Sequence, residues 1–256
     1  MRFSSVLVLA ALLAPACASA RLADLQVYDR TDQRYLTIHD YRGQRYVAGQ
    51  PGHQYEIRLR NDTAGRVLAV TSVDGVNVVS GETAAPSQGG YVLAPYQDLS
   101  IEGWRKNLGE VATFYFTRLP DSYAARTGRP FDVGVIGVAL FREKARCCDW
   151  FGNRQDDLRD EASGAPSAAD APAAEAQRKS ESRLAEKDKL GTGHGHRELS
   201  DASVTEFERA SDTPDEILAI YYDSRENLVA QGVIPRERHY AWRGPRPFPN
   251  GFVPDP

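Results

Sequence analysis

From residue 25 to residue 143 apolar side chains recur in short runs, each closed by a turn signal. The run 55–60 (YEIRLR) shows the pattern. Tyr55, Ile57 and Leu59 fall on one side and Glu56, Arg58 and Arg60 on the other, a strand with one buried and one wet face. Residues 66–80 carry strand-forming residues on both sides, with Asp74-Gly75 set between Val73 and Val76. Both central residues of a two-residue hairpin take positive φ, which Asp-Gly tolerates, so a tight hairpin is predicted there. A hairpin cannot bury its own apolar face, and the neighbouring runs are expected to assemble around it.

The same rhythm continues at 34–39, 45–48, 90–94, 99–104 and 111–117. A helical turn is expected within 122–126. Residues 131–141 (FDVGVIGVALF) are apolar without alternation, as in a strand buried on both faces, and Gly134 and Gly137 leave room for a neighbouring backbone. Many short strands with turn residues between them predict a mainly-β fold over residues 21–146: a β-sandwich of Ig-like or jelly-roll type, with a closed barrel as the alternative.

After residue 143 the pattern changes. Residues 156–189 are Ala, Ser, Asp, Glu, Lys and Arg with almost no large apolar side chain, so 147–189 reads as a Cys-Cys loop followed by a flexible linker. Order is expected to return at 190–239, with strands at 204–208 and 216–222. A helix follows, capped by Asp223, boxed by Glu226 and stopped by Gly232. A piece this small buries little core alone, so it is expected to dock on the sandwich and extend one of its sheets. Residues 240–256 form a Pro/aromatic tail of polyproline character.

Residues 1–20 read as a cleaved export signal: Arg2, an apolar core from Val6 to Ala14, and small residues at Ala18 and Ala20. A lipoprotein cut before Cys17 is disfavoured by Ala14 and Pro15, and the apolar run is too short for a membrane span. Lysine occurs only at 106, 144, 179, 187 and 189, so arginine supplies most of the basic charge. With abundant Ala and Gly, that bias points to a bacterial envelope or secreted protein. The net charge of −4 and the lack of a dense basic patch exclude nucleic acid as the expected partner.

Candidate chemistry is sparse. Cys147 and Cys148 are adjacent, closer than a relaxed disulfide allows, which leaves a strained ring, an intermolecular bond or a reduced redox pair. His194 and His196, spaced i, i+2 between glycines, are the candidate metal pair for a transition ion such as Zn²⁺. His39, His53 and His239 are conceivable third ligands without any spacing to select them. Trp104 and Trp242 are candidate ligand-facing aromatics, and tyrosines including Tyr28 and Tyr35 are candidates to line a carbohydrate or peptide groove. Asp74 is expected for its turn propensity, not as a base. No nucleophile elbow, zinc-protease helix, phosphate loop or dinucleotide fingerprint is present. The expectation is an exported, non-enzymatic binding protein, its partner another envelope protein or a surface polymer, with no resident cofactor. The alternatives are a metal-handling or thiol-redox protein using His194, His196, Cys147 and Cys148, and a β-sandwich hydrolase.

Overall fold

The computed structural model describes residues 21–145 and 189–236. In chain order the strands are β1 (Ala23–Asp29), β2 (Arg34–Tyr35), β3 (Ile38–Tyr41), β4 (Gln44–Gly49), β5 (Gln54–Asn61), β6 (Val67–Val73) and β7 (Val76–Asn77). They continue as β8 (Tyr91–Leu93), β9 (Asp98–Ile101), β10 (Gly103–Arg105), β11 (Glu110–Arg118), β12 (Val135–Arg142), β13 (Leu190–Leu199) and β14 (Glu216–Ser224). Two short helices, α1 (Tyr123–Arg126) and α2 (Arg225–Ala230), complete the regular structure.

The strands form two sheets, and the expected mainly-β sandwich is the observed architecture. In the first sheet β1 lies antiparallel between β2 and β5, β5 also pairs with β9, and β11 joins β5, β10 and β13. The second sheet runs β3-β4-β14-β12-β6-β7, with β8 also paired to β6. Alternation decides which side chains meet between them. Leu25, Val27, Tyr55, Ile57, Leu59, Phe114 and Phe116 of the first sheet share one core with Val67, Val73, Ile136, Leu140, Ile220 and Tyr222 of the second.

The predicted hairpin is present: Val73 pairs with Val76, and Asp74 and Gly75 have φ of 52° and 70°. β12 is interior as expected, between β6 and β14, and Gly137 faces Ser72 of β6. The run 34–39 is broken into β2 and β3. Residues 204–208 are not a strand; Phe207 instead covers Leu68, Val70, Ala139 and Phe141 on the outer face of the second sheet. The helix after β14 is capped by Ser224, one residue later than expected, because the strand runs on through Asp223. The Asp223 carboxylate accepts from Leu190 N–H at 3.2 Å and Asn227 Nδ2 at 2.8 Å.

The extension of a sheet by the C-terminal piece holds for β13, which pairs along β11. β14 goes further. It is inserted between β12 and β4, antiparallel to the first and parallel to the second, with Tyr221 opposite Tyr46. Without it, no strand among the described residues joins the β3-β4 hairpin to the rest of its sheet.

Candidate functional site

Alternation on β1 and β5 sends Asp24, Gln26 and Tyr28, and Glu56, Arg58 and Arg60, to the outer face of the first sheet. There they build a ribbon of paired charge. Arg30, just beyond β1, places Nη1 2.6 Å from Glu198 Oε2 on β13 and Nε 3.9 Å from Glu56 Oε2 on β5. Arg58 pairs with the other oxygen of Glu56, and its guanidinium lies over the Tyr28 ring, 5.3 Å from the centroid. His196 Nε2 is 3.1 Å from Glu198 Oε1.

The environment sorts the carboxyl groups. Burial raises Glu198 and Arg30 and His196 outweigh it, so that carboxyl lies below its ordinary range. Glu102 is raised, chiefly by burial, with Glu56 and Glu198 adding to the effect and Arg30 opposing it.

At one end of the ribbon the face opens into a cleft of about 410 Å³. Asp24, Gln26, Tyr35, Arg58, Arg60 and Asp98 supply its polar rim, and Leu59 and Leu99 also line it. The register explains the convergence, since Arg60 is opposite both Asp24 and Asp98 across β5. Tyr35 is 54% exposed and meets Tyr28 edge-on at 5.1 Å, which fixes its ring while leaving it open to solvent. Paired hydrogen-bonding groups beside a held aromatic ring suit a ligand rich in hydroxyl and amide groups.

The residues singled out in the sequence go to other places. Trp104 is not ligand-facing: it is 2% exposed, against Phe114, Tyr123 and His194, with no hydrogen-bond partner for its indole N–H among the described residues. His194 and His196 both lie on β13 but keep separate company. The His194 ring stacks 6.3 Å from Trp104, and burial lowers its pKa; His196 reaches Gln54 and Glu198. A bulge opposite Thr113 separates them, with Phe114 paired to His194 and Ala112 to Arg197. The alternating glycines have a packing reason. A Cβ on Gly193 would stand 2.1 Å from Cζ of Tyr115, whose side chain fills that space. Cys147, Cys148 and Trp242 lie outside the described residues, as do the signal, the linker and the tail.

Sequence reasoning missed a buried polar cluster at the hairpin. Asp74 Oδ1 accepts from Tyr222 Oη at 2.5 Å and Gly134 N–H at 2.9 Å, and Oδ2 accepts from Thr192 N–H at 2.8 Å. Thr192 Oγ1 in turn contacts the hydroxyls of Tyr222 and Tyr55 at 2.7 and 2.6 Å. Asp74, Thr192 and Tyr55 are fully buried. The available signal was the apolar character of both flanks of Asp74, which places an acidic turn inside the protein.

Comparison of the chain with protein-family models, with curated proteins and with solved structures gives no match.

Proposed function

We propose that this is an exported, non-enzymatic binding protein of the cell envelope, and that the cleft on the first sheet takes a carbohydrate chain of a surface polymer. The observation carrying this reading is the convergence of Tyr35, Arg58, Arg60, Asp24, Gln26 and Asp98 on one solvent-open cleft. Arginine and carboxylate side chains offer paired hydrogen bonds to sugar hydroxyls, and an immobilised tyrosine offers a flat face to a pyranose ring. The export assignment rests on the sequence of residues 1–20.

The test is retention of the mature protein on immobilised envelope polysaccharide. Tyr35→Ala and Arg60→Ala, both at exposed positions, are expected to weaken retention at least tenfold without moving the melting temperature. Equal retention of wild type and both variants overturns the assignment of this cleft.

A hydrolase is the second reading, favoured by Glu102, whose carboxyl is held above its ordinary range next to Glu56 and Glu198. Release of reducing ends from the same polymer, abolished by Glu102→Gln, selects it over simple binding.

A further inference from the structure

Away from the cleft, at the other end of β1, three metal-ligating side chains converge. Asp29 ends β1, Asp32 follows in the turn to β2, and His53 lies in the turn before β5. The two turns are tied together by backbone, Arg30 N–H donating to Gln54 O at 2.8 Å, and β11 holds the second turn as well, with Phe116 N–H donating to His53 O at 2.9 Å. Gln54 N–H also donates to Thr31 Oγ1 at 3.0 Å.

Each carboxylate has one oxygen held and the other directed at the imidazole. Asp29 Oδ1 accepts from Thr31 N–H and Asp32 N–H, both at 2.9 Å, while Oδ2 is 2.9 Å from His53 Nδ1. Asp32 Oδ2 is held by Arg34 at 3.1 Å, while Oδ1 is 3.8 Å from the same Nδ1. One atom from each of the three residues lies within 4.8 Å of the others, the one such triad of His, Cys, Asp and Glu among the described residues.

Charge balance is an independent reason to look for a cation. Asp29 is 1% exposed, and among the described residues no lysine or arginine lies within ion-pairing distance of it; His53 is its ionic neighbour. A carboxylate removed from water is stabilised by hydrogen-bond donors and by nearby positive charge; the Thr31 and Asp32 N–H groups supply the first at Oδ1, and a cation beside Oδ2 would supply the second. Such an ion would take one donor atom from each of the three residues at once.

We propose that Asp29, Asp32 and His53 form a divalent-cation site. One imidazole with two carboxylate oxygens fits a borderline ion, with Zn²⁺ as the best match, and water completes the shell. The site does not involve His194, His196 or the cleft, so it stands or falls apart from the carbohydrate reading.

The experiment is calorimetric titration of Zn²⁺ into chelator-treated, untagged mature protein carrying Cys147→Ser and Cys148→Ser, so that thiols do not compete. One equivalent is expected to bind. Asp32→Asn and His53→Ala are each expected to weaken binding at least tenfold, and His194→Ala/His196→Ala to leave it unchanged. Asp32 is partly exposed, so its variant keeps the test decisive if the His53 variant fails to fold. Absence of binding overturns the proposal. So does binding that survives Asp32→Asn, or that disappears in the His194/His196 variant.

Discussion

The phenol of Tyr222 donates a 2.5 Å hydrogen bond to Oδ1 of Asp74, joining the last strand of the second sheet to the tight turn between β6 and β7. Thr192 on β13 closes the cluster and Tyr55 on β5 extends it, so one buried network ties both sheets together. Removing the phenol leaves a buried carboxylate short of a donor. Tyr222→Phe is expected to cost about 1–3 kcal/mol in chemical denaturation, with little change in the size of the side chain. A variant as stable as wild type would show that the hydrogen bond contributes nothing net.

The Asp74 carboxyl is pushed from 3.8 up to about 6, with burial the largest cause and donors from Tyr222, Thr192 and Gly134 opposing it. The native state therefore holds this proton more tightly than the unfolded chain does. The stability it contributes is complete below about pH 4 and is lost as pH rises through 6, a difference of at most about 3 kcal/mol. Urea midpoints from pH 4 to pH 7.5 check this against Asp74→Asn, since Asn tolerates the positive φ of the turn. Other carboxyl groups titrate in both proteins, so the difference between the two profiles isolates Asp74. Parallel profiles would contradict the assignment.

Gly193 and Tyr115 occupy one space across the β11–β13 pair. Gly193→Ala is expected to displace the ring and destabilise the protein by about 1–3 kcal/mol. In a Tyr115→Ala background the same change should cost much less, and the two effects should fail to add. Additive effects would place the reason for this glycine elsewhere.

A fragment ending at residue 145 lacks both β13 and β14. It is expected to show no cooperative thermal transition, because β4 and β12 lose the strand between them. A chain ending at residue 236 keeps both strands and is expected to melt cooperatively. If the short fragment melts like the longer chain, β14 is dispensable and the second sheet closes without it.

What the sequence showed was local. The Asp74-Gly75 hairpin follows from backbone preferences of two residues, and the two faces of β5 follow from alternation within eight. Interior placement of β12 was legible because Ile136, Val138 and Leu140 alternate with Gly137, Ala139 and Phe141, leaving neither face polar. The rest depends on contacts between distant segments. Nothing near Tyr221 specifies that it pairs with Tyr46; the apolar run 217–222 marks a strand, and its outer face stays partly open, with Ile217 66% exposed. The cap moved from Asp223 to Ser224 because strand pairing with Ala48 and Gly49 outweighed the local capping signal. His53 could not be matched to Asp29 by spacing, since the antiparallel register of β1 and β5 brings them together. The bulge in β13 likewise undoes the i, i+2 logic that paired His194 with His196.

The position of β14 also sets the order of events when the polypeptide is made. Synthesis delivers residues 44–49 and 135–142 long before residues 216–224, yet those earlier stretches are neighbours of the later one and not of each other. Until residues 216–224 arrive, two strand edges wait with unpaired amides and carbonyls, open to association with other chains. Closure of the second sheet thereby waits on β14, and a nascent chain interrupted before residue 216 is left prone to aggregate.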